Sequence, residues 1–205
     1  ITAREFQNRS RLLIYPLILF VMAETIIQVA LPELHVTWLC VTLLSVLYFI
    51  YCSEMWNQLD ALTGLLNQNS YLKQTGGVRC KGGVLVVFDV DDFKQINDRY
   101  GHIQGDLCLA GIAECIKKSY ANFGYCYRIG GDEFCVLLKN GGNEGRCKQE
   151  FLQRLQEKRG EIAFLPTISY GTAPFSGEDI VKVKNRADQD MYQYKKERKN
   201  RKRLS

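Results

Sequence analysis

Cysteine pairs at metal-binding spacing are missing from this chain: none of the eight cysteines stands in a Cys-x-x-Cys pair. Cys80, Cys108, Cys115, Cys126, Cys135 and Cys147 fall in the part read below as facing the reducing cytoplasm. They are therefore expected as buried thiols acting as small hydrophobes, not as a zinc cage or a disulfide frame. No internal repeat occurs, and no base-reading motif or interleaved aromatics point to a nucleic-acid partner. The formal net charge of +5 comes largely from one segment, Lys195 to Arg203, where seven basic residues stand against Glu197 alone. That segment reads as a solvated helix end.

Charge is absent from Val36 to Cys52, and residues 12–31 are apolar apart from Glu24, Thr25 and Gln28. About 20 apolar residues suffice to cross a bilayer core, whereas a buried soluble hairpin would show polar faces on both segments. Two membrane spans are expected. No small-residue cleavage site marks a signal peptide. Arg4, Arg9 and Arg11 flank the first span, while the turn at Pro32, Glu33 and His35 carries no Lys or Arg. By the positive-inside rule the chain beyond Ser53 returns to the cytoplasm. Residues 1–53 thus read as a membrane segment, the end of a longer membrane region since the chain begins at Ile1, and residues 54–205 as a cytoplasmic domain. The protein is expected in the inner membrane, multi-pass.

Beyond Ser53 the pattern predicts a helix continuing out of the span, a turn, and a short helix through Tyr71 and Leu72 to a break at Gly76-Gly77. It then predicts a first core strand from Gly83 to Val90. Phe93, Ile96 and Tyr100 at helical spacing predict a helix stopping near Gly101, and Leu109, Ile112, Ala113 and Ile116 mark the apolar face of another. Tyr125 to Ile129 and Glu133 to Leu138 predict a hairpin about Gly130-Gly131. A helix over Arg146 to Lys158, a strand over Thr167 to Thr172 and a last helix with Ile180, Val183, Ala187, Met191 and Tyr194 on one face follow. This order predicts an α/β fold, an α+β sandwich with helices packed on a largely antiparallel sheet.

Two acidic segments carry the chemistry. Arg128-Ile-Gly-Gly-Asp-Glu-Phe134 sets adjacent carboxylates after a glycine turn, and Phe88-Asp-Val-Asp-Asp-Phe-Lys94 follows an apolar strand forty residues earlier. Strands ending in carboxylates can gather hard oxygen ligands around divalent cations. The glycines are expected to adopt positive φ and to let phosphates approach the backbone. An EF-hand is excluded, because Phe93 and Lys94 occupy the positions where the calcium loop needs a ligand and a glycine.

Residues 60–200 resemble the GGDEF domain of the diguanylate cyclase family. Five separated matches carry the resemblance: Asp60-Ala-Leu-Thr-Gly-Leu-Leu-Asn67, Phe88 to Asp98, Gly101-His-Ile-Gln-Gly-Asp106, Arg128 to Phe134, and Ala187-Asp-Gln-Asp-Met-Tyr-Gln-Tyr-Lys195. The resemblance implies a ferredoxin-like palm and condensation of two GTP into cyclic di-GMP, with release of two pyrophosphates, across a homodimer. It implies that Asp89, the Val90 carbonyl, Asp132 and Glu133 hold Mg²⁺ or Mn²⁺, two per active site, one hairpin carboxylate helping to activate the 3′-hydroxyl. Asn97 and Asp106 would read guanine, with Phe93, Gly130 and Gly131 lining the substrate. Lys94 and Arg128 would touch phosphate charge, and Lys195 and Lys199 would bind the β and γ phosphates.

The sequence departs from the family pattern at several positions. Lys199 stands where Arg is usual, Arg198 where Gly is usual and Gln68 where Arg commonly follows, and Ala121 and Gly124 replace the Arg-x-x-Asp of the inhibitory product site. Feedback through that site is expected to be absent. A catalytically silent GTP-binding or tethering module is the alternative, and a palm cyclase making another nucleotide is a further rival. The intact Asp89, Asp132 and Glu133 weigh against the first, and Asn97 with Asp106 against the second.

Overall fold

The computed structural model describes residues 19–20, 22–23, 25–30, 37–56, 58–75, 82–139 and 141–204, with the side chains at 37, 39, 51, 54–56 and 199–204 outside that description. The chain divides into two compact units, Ile1–Asn57 and Gln58–Ser205.

In the first unit residues 25–30 are helical, and helix α1 runs Thr37–Trp56. The expected continuation of the second apolar run as a helix past Ser53 is seen. The start of the first expected span and the turn at Pro32 to His35 lie outside the described residues. Among the described residues no helix is long and apolar enough to cross a membrane. The helices nevertheless present large apolar side chains to their surroundings, Val29 at 77%, Trp38 at 78% and Phe49 at 70% exposed.

The second unit is built on four strands, β1 (Gly83–Val90), β2 (Gly124–Arg128), β3 (Glu133–Leu138) and β4 (Ile168–Phe175). They form one antiparallel sheet in the order β2-β3-β1-β4. Helices α2 (Gln68–Thr75), α3 (Phe93–Tyr100), α4 (His102–Tyr120), α5 (Glu144–Glu161) and α6 (Ile180–Leu204) surround it. The wiring β1-α3-α4-β2-β3-α5-β4 is the ferredoxin-like arrangement that the resemblance implies. The break at Gly76-Gly77 and Cys80 lie outside the described residues.

Two cores follow from the period of the central strand. Side chains alternate faces along β1, so Val86, Phe88 and Val90 pack with Leu109, Ile112 and Ile116 of α4 and Phe151 and Leu155 of α5. Leu85 and Val87 pack on the opposite face with Val183 and Ala187 of α6 and Tyr71 of α2. Burying an aliphatic or aromatic side chain of this size contributes roughly 1.5–3 kcal/mol, so the two faces together dominate the fold's stability. The cysteines of both layers are free, and Cys108, Cys115, Cys126, Cys135 and Cys147 are buried. Burial pushes the Cys126 thiol up to about 12, which keeps it protonated and inert.

Three elements differ in extent from the sequence reading, β2 spanning Gly124–Arg128 rather than Tyr125 to Ile129. Strand β4 runs on to Phe175 rather than ending at Thr172, through Pro174. Proline is tolerated there because β4 is an edge strand and its outer side needs no ladder donor. Helix α5 begins two residues earlier and ends three later than Arg146 to Lys158. Its last turn is tied to α4, because Lys158 Nζ lies 2.8 Å from Glu114 and 2.8 Å from Glu161.

Helix α6 rests directly on the backbone of β4. A Cβ at Gly171 would come within 2.1 Å of the Ala187 carbonyl oxygen and 2.3 Å of the Met191 nitrogen. The close approach fixes the height of α6 over the sheet. Lys195, one turn beyond Met191, is thereby carried to the end of β1.

Candidate active site

Strand pairing brings the two acidic segments together. Asp89 at the end of β1 stands opposite Glu133 at the start of β3, and partners in an antiparallel register project to the same side of the sheet. Beyond them the Val90 amide donates to the Asp132 carbonyl at 3.2 Å, so the turn between β2 and β3 is pinned to the end of β1. Asp132 is half-buried and Glu133 exposed at this edge.

The glycine turn is held by Arg128. Its Nε and Nη2 donate to the Gly131 carbonyl at 3.2 and 2.8 Å, and its Nη1 reaches Asp60 Oδ1 at 3.0 Å. The same Asp60 oxygen accepts from the Thr63 amide at 2.9 Å and hydroxyl at 2.6 Å. Burial alone would raise the Asp60 carboxyl, but the Thr63 and Arg128 hydrogen bonds outweigh it and hold it below its ordinary range. The structure thus places Arg128 as a latch on the turn. Neither Gly130 nor Gly131 adopts positive φ, contrary to the expectation from sequence. What a side chain at 130 would meet is Glu133: a Cβ there would lie 3.3 Å from both Cβ and Oε2 of Glu133, a tight contact.

Left-handed backbone occurs instead at Asp92, φ 55°, the residue that turns β1 into α3. It is the single non-glycine residue with positive φ among those described, and Asp is one of the few residue types that accept it at modest cost. The turn leads from β1 into α3, which carries Phe93, Lys94 and Asn97. Lys94 is exposed, whereas Phe93 packs against the core.

Asn97 packs against Gly105 of α4. A Cβ at Gly105 would lie 1.9 Å from Asn97 Oδ1 and 3.2 Å from the Phe93 ring, so α3 and α4 close on one another there. Asn97 Oδ1 is buried, and Asp106 is exposed on the next residue of α4. The structure thus places Asn97 against the Gly105 backbone, with Asp106 the next residue of α4.

Lys195 reaches over from α6. Its Nζ lies 2.5 Å from Asp89 Oδ1 and 3.3 Å from Asp91 Oδ1. Burial would lower the Lys195 ammonium, but the hydrogen bonds and charges of Asp89 and Asp91 outweigh it and hold it above its ordinary range. It is a permanent cation at the strand end. The Lys199 side chain lies outside the described residues.

Sequence reasoning gave no role to Asp91, and the structure makes it the hub of this edge. It is 8% exposed, and it accepts from Ser169 Oγ at 2.8 Å, Thr167 Oγ1 at 3.0 Å and Arg198 Nη1 at 3.0 Å. Ser169 and Thr167 at the start of β4 were the available signal, since polar side chains at a buried strand end need a partner.

Among the described residues no three His, Cys, Asp or Glu side chains close around a common point. The donors are an open set of Asp89 and Glu133 facing across two strands, with Asp132 and the Val90 main chain beside them. That set fits Mg²⁺ or Mn²⁺, because such ions take hard oxygen ligands and Mg²⁺ is commonly held by one or two carboxylates plus substrate phosphates.

Comparison with known proteins agrees with this geometry. Residues 57–201 match the family model described as diguanylate cyclase, GGDEF domain. A probable diguanylate cyclase, DgcI of Escherichia coli (strain K12), is 36% identical over 157 residues, covering 73% of this chain and 33% of that protein. Diguanylate cyclase DgcZ of the same organism is 29% identical over 165 residues, covering 75% of this chain and 55% of DgcZ. The chain thus spans between a third and somewhat over half the length of these relatives. A solved microbial GGDEF domain, studied for its interaction with cyclic di-GMP, superposes with a TM-score of 0.53 at 30% identity, covering 68% of this chain and 93% of that one. With the carboxylate pair, the latched glycine turn and the family match in agreement, the chain belongs to the GGDEF family of diguanylate cyclases.

Proposed function

We propose that this chain condenses two GTP molecules into cyclic di-GMP, releasing two pyrophosphates, as the output domain of a membrane sensor. The observation that carries the proposal is the register of Asp89 against Glu133, with Asp132 pinned beside them by the Val90 amide. Asp89, the Val90 carbonyl, Asp132 and Glu133 would hold two Mg²⁺ or Mn²⁺ ions. When bound, such ions neutralise phosphate charge and ease attack of a 3′-oxygen on an α-phosphorus.

The remaining residues bind and orient. Asn97 and Asp106 present amide and carboxylate groups to the guanine edge, and Asp106 accepts from its N1 and N2 donors. Lys195 and Lys199 take the β and γ phosphates as point charges, Lys94 adds positive charge at the mouth, and Arg128 shapes the turn of Gly130 and Gly131 against the substrate. Each GTP serves as both nucleophile and electrophile, so catalysis needs two copies facing each other, each 3′-oxygen against the partner's α-phosphate.

The membrane anchoring rests on the apolar runs 12–31 and 36–52 and on the exposed apolar side chains of the first unit. Two spans returning the chain to the cytoplasm would place the second unit at the inner face of the inner membrane. Retention in the membrane pellet after alkaline carbonate extraction is the expected result. Release into the supernatant would remove the anchor from the proposal.

Mass-spectrometric detection of product from the detergent-solubilised chain, GTP and Mg²⁺, beside a Glu133→Gln control, tests the activity. Cyclic di-GMP from the native chain alone is the expected result, with specific activity rising with protein concentration. GTP binding and dimerisation without product would leave a silent GTP-binding module. Specific activity independent of concentration would remove the requirement for two copies.

A further inference from the structure

Arg198 departs from the family pattern, and its surroundings give it a task. It lies three residues after Lys195 on α6, so both side chains leave the same face of the helix, toward the ends of β1 and β4. Arg198 Nη1 donates to Asp91 Oδ2 at 3.0 Å and to the Ile168 carbonyl at 3.2 Å. One guanidinium therefore ties α6 to the residue just after β1 and the first residue of β4 at once. Asp91, its anchor, is buried and fixed by the Ser169 and Thr167 hydroxyls, and its own amide donates to the Thr167 carbonyl at 2.9 Å. The anchor itself has little freedom to move.

We propose that Arg198 is a positioning residue for nucleotide binding: it clamps the distal half of α6 to the sheet so that Lys195 is held at the phosphate-binding edge. The proposal rests on the cyclase reading for the identity of the nucleotide. Three geometric facts support it. Lys195 and Arg198 share the Asp91 carboxylate, Lys195 on Oδ1 and Arg198 on Oδ2, so a displacement of one is felt by the other. Arg198 is partly buried, with a side-chain exposure of 26%, so the clamp is shielded from full solvent competition. The charge-assisted bond to Asp91 is of the stronger class, and a guanidinium can span two acceptors where an ammonium offers only a point charge. A glycine at position 198 could make neither contact. The arginine therefore gives this chain a fixed α6 where the usual family residue would leave the helix untied at that turn.

The test is a double-mutant cycle on nucleotide binding by the full chain in detergent, read by titration with a fluorescent GTP analogue in the presence of Mg²⁺. The variants are Arg198→Met, Lys195→Met and the double variant, each checked by thermal melting. Methionine keeps the aliphatic stem and the helix while removing the donors. Arg198→Met is expected to weaken binding about tenfold when Lys195 is present, and to have little further effect, within about twofold, in the Lys195→Met background. In product formation the loss should appear in KM, with kcat much less changed. Unchanged affinity in Arg198→Met would overturn the proposal, as would equal weakening in both backgrounds, since Arg198 would then act independently of Lys195. If Arg198→Met does not fold, the same cycle with Arg198→Lys decides on the same criterion with a smaller, about threefold, change. The titration reads binding whether or not product forms. Absence of cyclic di-GMP would sink the activity and leave the clamp standing.

Discussion

Asn97 Oδ1 is packed so closely against Gly105 that a single added methyl there would lie 1.9 Å from it. Among the described residues this oxygen is buried with no hydrogen-bond partner. Gly105→Ala should therefore push the Asn97 amide out of place. GTP affinity is expected to fall about tenfold or more, alongside an overpacking cost of about 1–3 kcal/mol. Isothermal titration with GTP and a denaturant melt check both, and unchanged affinity would show that Asn97 does not read the base.

Glu133 stands exposed at the first residue of β3, opposite Asp89. Glu133→Gln keeps its shape and removes its charge. Product formation is expected to drop by about two orders of magnitude or more, while stability changes by less than about 0.5 kcal/mol, as for other exposed substitutions. Steady-state rates and a thermal melt on the same preparation separate the two effects. Retained turnover would remove Glu133 from the chemistry.

The Asp60–Arg128 pair makes a pH prediction. The Asp60 carboxyl titrates below its ordinary value in the folded state. Such a group contributes stability that is fully present above about pH 4 and is lost as pH falls through the folded pKa. Arg128→Met is expected to cost about 1–2 kcal/mol near neutral pH, with the difference from the native protein shrinking near about pH 2.5. Urea midpoints at both pH values provide the check. A difference that stays constant would mean the loss is one of packing, not of charge.

Gly171 sets how closely α6 approaches the sheet. Because a Cβ there meets helix backbone rather than a side-chain end, nothing can rotate away. Gly171→Ala should destabilise the second unit by about 1–3 kcal/mol and lift Lys195 from Asp89, weakening nucleotide binding as well. Calorimetry and nucleotide titration together test this. A destabilised protein with native affinity would show that α6 tolerates the shift without moving Lys195.

Much of this protein was legible in one dimension. The strand read from the continuous apolar run within Gly83 to Val90 matched β1 residue for residue, and the apolar face of Leu109, Ile112, Ala113 and Ile116 is the buried face of α4. The acidic segments at Asp89 and at Asp132-Glu133 were legible as one candidate site because each ends or begins an apolar strand beside a turn signal, and the register of Asp89 against Glu133 came from the structure. Those features are local, and local chemistry is what sequence spacing records. The role of the glycine turn was misjudged for the same reason: sequence says that glycine is present, whereas whether it serves φ or room depends on where Glu133 folds back.

What the sequence by itself determined is the alternation of strands and helices, the family and the candidate carboxylates. Tertiary structure alone decided that Asp91 would be the hub of the edge, that Arg198 would reach it across 107 residues, and that Lys195 would sit on Asp89 across 106. Both contacts depend on how far α6 settles onto β4 at Gly171, a height fixed by backbone packing between distant segments. No spacing along the chain encodes that distance.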